Sequence, residues 1–284
     1  MARGHCEFRY VMFAAGVLCL FATNVRAQQA QSSPATPAAP PPTPQAAAPE
    51  DFTGYWVAVI TEDWRFRMVT PPKGDFASVP LNPEGTKAAN QWDQAKDIAA
   101  GEQCRAFGAG GIMRMPIRLH IAWQDDKTLR MEIDNGNQVR LFHFDKAAQP
   151  PAKPDWQGFS AAAWETVGQG EGMAPAANNN RRGGPGPNSL SGSLKSVTTK
   201  MRPGYLRRNG IPYSGDAVLT EFLDRTTGPN NETWLILTSS LDDPKYLTVP
   251  FFVTTHYKKE PDGSKFSPRP CEATMPVGVT VPLE

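Results

Sequence analysis

Cysteine and histidine are scarce in this chain, four of each among 284 residues, and charge of one sign is not in excess. With 29 basic and 28 acidic residues the formal charge is +1, which offers no electrostatic reason to bind nucleic acid or an anionic lipid surface. Cys104 and Cys271 have no Cys-x-x-Cys partner and no histidine beside them, so a dithiol redox motif or a zinc ribbon is excluded there. No Gly-x-Ser-x-Gly occurs, which removes the nucleophile elbow of the α/β-hydrolases. No apolar run reaches the roughly 20 residues that a membrane-spanning helix needs.

Proline and glycine are abundant instead, 28 and 24 residues, and their distribution divides the chain. Arg3 and Arg9 precede an apolar run from Tyr10 to Thr23, and Val25-Arg26-Ala27 supplies the small or β-branched residues a signal peptidase reads. This pattern predicts a secretory signal peptide over residues 1–27. The other reading, an anchoring helix, is disfavoured by the short apolar run, and a lipoprotein signal by Leu18 before Cys19. Cleavage after Ala27 would remove Arg3, Arg9 and Arg26 against Glu7, turning the charge to −1, and take Cys6 and Cys19 with it. In a periplasmic or secreted protein Cys104 and Cys271 would then form one disulfide; the alternative is a reactive or metal-binding thiol. Residues 28–50 (QQAQSSPATPAAPPPTPQAAAPE) lack aromatics and nearly all charge, so a disordered Pro/Ala-rich linker is expected. A single domain over 51–284 follows, interrupted at 168–193 by a Gly/Pro/Asn-rich stretch expected to be a disordered loop, with Arg181-Arg182 as solvating charge.

Within the domain, Asp51–Ile60 is rich in β-branched and aromatic residues and is predicted to be a strand. Asn82-Pro83-Glu84 then supplies an N-cap, a first-turn proline and an acid. Ala88, Trp92, Ala95 and Ala99 recur at helical spacing, so one amphipathic helix is expected to about Ala100. Beyond it the chain alternates short strands and turns: 117–123, 129–134, 139–144, 161–166, 194–201, 217–224, 233–240 and 251–258. Asp125-Asp126-Lys127 and Asn135-Gly136-Asn137 read as hairpin turns. Sequential strands with no helices between them favour closure, which removes the sheet edges. The fold expected is mainly β, an antiparallel up-and-down barrel with one amphipathic helix after the first strand, and a β-sandwich as the alternative.

Gly54-Tyr55-Trp56 resembles the Gly-x-Trp opening of lipocalin-like barrels, in which the Trp plugs one end. The segments Asp155-Trp-Gln-Gly-Phe-Ser-Ala-Ala-Ala-Trp-Glu165, Asn209-Gly-Ile-Pro-Tyr-Ser-Gly215 leading to Glu221, and Asp242-Asp-Pro-Lys-Tyr246 with Pro250 are similar to those of an uncharacterised family of secreted bacterial proteins with a lipocalin-like (calycin-type) barrel. The similarity runs from about Phe52 to Cys271. It implies a fold and no reaction. The chain departs from that pattern in the 168–193 insertion, in Tyr213 where histidine is common, and in lacking the later lipocalin motifs.

The candidates for chemistry follow from strand alternation. Glu221 shares a face with Leu219 and Leu223, and Arg140 shares one with Phe142 and Phe144; a carboxylate among leucines needs a cation, and Arg140 is the expected partner. The pair would either fix the polar end of a ligand or tie the barrel wall, and buried polar pairs are more often architecture. Glu165 beside Trp164 has the same two readings. His120, His143 and His256 lie on separate strands, so a metal site would need them to converge; none is expected. Ser160 and Ser214 have no neighbouring histidine, and Ser214 has the surroundings of a turn cap. Glu62-Asp63-Trp64-Arg65-Phe66-Arg67 would form either a rim at a barrel mouth or a charged, solvated loop. The first reading of function is an exported barrel that binds a small apolar or aromatic molecule through Arg140, Glu221, Trp123, Trp164 and Phe142. The second is a hydrolase- or lyase-type enzyme pairing Glu221 or Glu165 with His120 or His143, and the third a structural or interaction module. No cofactor, nucleic acid or membrane span is expected.

Overall fold

Nine strands close into one barrel in the computed structural model of the protein, which describes residues 41–166 and 192–274. The expected signal peptide, residues 28–40 of the linker, and the 168–191 stretch with Arg181-Arg182 lie outside the described residues. In chain order the elements are β1 (Gly54–Val59), α1 (Trp64–Arg67), α2 (Pro83–Asn90), α3 (Gln94–Ala99), a 3₁₀ turn (Gln103–Phe107) and α4 (Ala109–Ile112). Then come β2 (Arg118–Asp125), β3 (Thr128–Ile133), β4 (Asn135–Gly136), β5 (Gln138–His143), β6 (Phe159–Thr166) and β7 (Gly192–Thr199). The last are β8 (Gly204–Arg207), β9 (Ile211–Tyr213), β10 (Val218–Thr227), β11 (Thr233–Asp242), β12 (Phe251–Glu260) and β13 (Arg269–Pro270). The barrel order β1-β12-β11-β10-β7-β6-β5-β3-β2 is the order in the chain, as sequential hairpins require. No helix among the described residues is long and apolar enough to cross a membrane.

One joint departs from the antiparallel expectation. β5 and β6 run parallel, meeting at Phe142–Ser160 and His143–Ala161. The reason is parity: directions alternating around a ring of nine cannot close without two like neighbours. The chain makes the return between them in a loop, residues 144–158, instead of a strand.

The single expected helix is two. Asn82 caps α2, its side chain accepting from the Gly85 N–H with Pro83 in the first turn. Asp93 then accepts from the N–H groups of Ala95 and Lys96. An acceptor placed mid-run offers the backbone a new start, and the helix breaks there. The expected linker also changes character at its end. The Gln45 N–H donates to the Asp126 carbonyl at 3.1 Å and Arg225 pairs with Glu50 at 3.2 Å, so residues 41–50 lie against the barrel instead of hanging free.

Side chains alternate through the wall and fill it. One apolar cluster gathers Phe52, Trp56, Ile121, Leu129, Met131, Phe142, Leu194, Leu223, Leu235 and Tyr257. A second joins Leu219, Leu241 and Phe251 to Ala109 of the helical segment, to Met201 between β7 and β8, and to Leu206, Ile211 and Tyr213 of the β8–β9 hairpin capping that end. In the hairpin turn Gly210 takes a φ of +84°, and Trp92 packs where a Cβ would stand. Cys104 and Cys271 form a disulfide that ties the 3₁₀ turn to the tail strand β13, itself paired with β4.

Candidate functional site

β5, β6, β7 and β10 each send alternate residues inward, and midway along the barrel those residues are polar. The Arg140 guanidinium donates to Glu221 through Nη1–Oε1 at 2.9 Å and Nη2–Oε2 at 2.5 Å, with each side chain 1% exposed. Ser196 donates to Glu221 Oε2 at 3.3 Å, Arg140 Nη2 reaches Thr198 Oγ1 at 3.4 Å, and Thr198 and Ser160 share a 2.7 Å hydrogen bond. On β10 Leu219 belongs to one apolar cluster and Leu223 to the other, so the pair lies at their boundary. Burying two charges is costly unless the geometry is close and the remaining lone pairs are bonded. The two parallel bonds and the hydroxyls around them meet that requirement for the carboxylate, while Nε of Arg140 is left without a partner among the described residues. Both carboxylate oxygens are already engaged and no solvent reaches the pair, so its chemistry is that of a tie across the barrel.

The inward face of β5 leads from Arg140 past Phe142, whose ring lies 5.1 Å from the guanidinium, to an aromatic group at one end of the barrel. Trp164 there stands 4.8 Å from Phe144, 6.0 Å from Phe52 and 6.3 Å from Trp123, and Trp123 is 5.5 Å from Phe144, centroid to centroid. A skipped residue at Gln124 in the β2–β3 register re-aims the strand just past Trp123, as bulges do. Trp123, Phe144 and Trp164 are half-buried, Phe142 fully. The Trp164 indole donates from Nε1 to the Pro44 carbonyl at 2.8 Å, so the chain's own proline-rich segment touches this mouth. The structure thus brings Trp123 and Trp164 together, with Phe142 beneath them and Arg140–Glu221 deeper.

His120, His143 and His256 lie on the outer wall. His120 Nδ1 meets Glu132 Oε2 at 2.7 Å, Tyr55 stacks on its ring at 4.3 Å, and Phe266 covers both. That hydrogen bond, foremost, holds the Glu132 carboxyl below its usual range. His143 stacks on Phe159 at 5.0 Å, and burial lowers its pKa against the pull of Asp125. His256 is 3.9 Å from Glu62, and Glu165 pairs outside with Lys195 at 2.6 Å. The carboxylate–histidine combinations expected for an enzyme are therefore not assembled: Glu221 faces inward with Arg140, and Glu165 is paired with a lysine. Glu132 was the residue missed. The Asp125–Lys127 turn carries a usable signal, because folding the chain about it sets position 132 opposite 120. Among the described residues no three His, Cys, Asp or Glu side chains could share a metal.

Ser214 caps a turn as expected and does more. Its N–H and hydroxyl both donate to Asp243, at 2.7 and 2.8 Å, locking the 209–215 segment to the 242–246 segment. Scans of the chain against protein-family models, curated proteins and solved structures find no match.

Proposed function

We propose that the protein is an exported small-molecule-binding barrel of the lipocalin-like secreted type its segments resemble, and that its guest is an apolar or aromatic molecule held at the mouth by Trp123, Phe144 and Trp164. One observation carries this reading: the Trp164 Nε1–H is spent on the carbonyl of Pro44, in a segment outside the barrel wall that a guest can displace. Small-molecule sites are lined mainly by apolar and aromatic side chains with a few placed polar groups, and this mouth offers both kinds of residue. The guest's polar end falls to that indole N–H, since the Arg140 and Glu221 charges are committed to each other. No cofactor is needed. Export rests on the N-terminal pattern of residues 1–27. An enzyme pairing Glu221 or Glu165 with His120 or His143 gains no support from their positions.

Titration with N-phenyl-1-naphthylamine, a neutral apolar fluorophore, tests the reading. Wild-type protein is expected to bind it saturably, with quenching of tryptophan emission, and Trp164→Ala to weaken binding at least about tenfold, or ~1.4 kcal/mol. Equal binding by Trp164→Ala and Trp123→Ala variants with wild-type circular dichroism removes the mouth as the site.

A further inference from the structure

At the opposite, capped end, three separate segments deliver guanidinium groups to one place. Arg67 ends α1, Arg114 follows α4, and Arg207 and Arg208 close β8 and begin its turn. Arg67 is buried, donating from Nε to the Arg114 carbonyl at 2.9 Å and from Nη1 to Glu62 at 2.5 Å. Arg114 gives Nη2 to Asp63 at 2.9 Å and lies 5.4 Å from the Phe251 ring. Arg207 gives Nη1 to the Ala77 carbonyl at 2.7 Å and stacks 4.0 Å from Phe66, whose ring also carries Arg65 at 4.5 Å. Arg208 spans the Arg67 carbonyl and Thr274.

The acceptors do not suffice. Arg67 Nη2, Arg114 Nε and Nη1, and Arg207 Nε and Nη2 are buried with no hydrogen-bond partner among the described residues. A buried donor left without an acceptor is costly, the more so when it is charged. The nearby carboxylates are committed, Glu62 to Arg67, Asp63 to Arg114 and Asp75 to Arg65, and His256 stands by Glu62. Burial, then Arg114, pulls the Arg207 pKa down to about 10 against Asp63 and Asp75. Burial and Arg67 lower Arg114 against Asp63 and Glu62. The cluster therefore carries more positive charge than its surroundings balance.

We propose that the pocket lined by Phe66, Arg67, Arg114, Leu206, Arg207 and Arg208 is an oxyanion site that takes one phosphate-, sulfate- or carboxylate-type group. The free donors have the form such a group requires. Nε and Nη2 of Arg207 make one edge of the guanidinium, the edge that grips two oxygens of an oxyanion in parallel. Arg114 and Arg67 add donors that a single acceptor atom, such as a carbonyl, could not satisfy. Phe66 lies 4.0 Å from the Arg207 guanidinium and Phe251 5.4 Å from that of Arg114, and both arginines are buried, so little side-chain entropy remains to be lost on binding. This site lies away from the aromatic mouth and does not depend on the guest proposed there.

The experiment is thermal denaturation and calorimetry of the mature protein with inorganic phosphate, sulfate or acetate, with sodium chloride at matched ionic strength as the comparison. At least one of the three oxyanions is expected to raise Tm saturably, beyond chloride, and the strongest names the class. Arg207→Gln and Arg114→Gln are expected to weaken its binding at least tenfold. Arg207→Lys, which keeps the charge but loses the two-donor edge, should weaken it as well. If a glutamine variant fails to fold, broadening of the phosphate ³¹P signal by wild-type protein, reversed by excess of the strongest oxyanion, keeps the test open. No saturable shift with any of the three, a shift equalled by chloride, or undiminished binding in a folded Arg207→Gln overturns the proposal.

Discussion

Arg140 and Glu221 show how far alternation along two strands reaches. Each was assignable to a face from its neighbours alone, and a carboxylate and a guanidinium both directed into an apolar wall had to meet or be left unpaired. Glu221→Gln is expected to destabilise the fold by about 3–5 kcal/mol, because it leaves the Arg140 charge buried without its counterion. Replacing both, as Arg140→Met with Glu221→Leu, should recover most of that loss. Urea denaturation checks it, and a single variant as stable as wild type would show that solvent reaches the pair. The role of the pair was less legible than its existence, since enclosure depends on Tyr257, Phe142 and the leucines of other strands. The arginines of the capped end were not legible at all. They come from three segments far apart in the chain, and only Glu62–Arg67 stood out as a charged rim.

Every barrel strand was readable from alternation and turn residues, and Asn135-Gly136-Asn137 turns as its composition requires, with φ of +87° at Gly136 and +46° at Asn137. The short pairs β4–β13 and β8–β9 were missed because two to four residues show no period. The parallel joint was implied by the odd number of strands, although composition could not say where it would fall. It falls where the pairing is shortest. β5 and β6 meet only around Phe142–Ser160 and His143–Ala161, whereas β10 and β11 pair continuously from Val218–Asp242 to Thr227–Thr233. Local opening should therefore begin at the β5–β6 joint. Native-state hydrogen exchange is expected to find whichever of the Ser160 and Ala161 amides faces β5, the other facing the long β7 pairing, exchanging well before those of Leu223 and Leu237, and the reverse order would locate the weak seam elsewhere.

For the molecule as a whole, buried phenols set the alkaline limit. Burial, foremost, raises the pKa of Tyr205, Tyr213 and Tyr257, with the Asp97 hydrogen bond adding to it at Tyr205. The unfolded chain releases these protons near pH 10, so the stability they contribute is whole below about pH 10 and lost as pH rises from there. Arg207, lowered to about 10, acts in the opposite sense, as do Arg114 and Arg208, whose smaller downward shifts come into play at higher pH. Tm is expected to fall above about pH 10, with part of the tyrosinate absorbance at 295 nm appearing only on unfolding; a flat Tm to about pH 11 would mean these phenols ionise within the fold. The disulfide acts on another axis, time. Cys104 precedes every barrel strand but the first, and Cys271 follows them all. As the chain is synthesised amino end first, the earlier thiol waits for its mate until the last barrel strand has been made, so no Cys104–Cys271 crosslink can form on a chain that still lacks any of them.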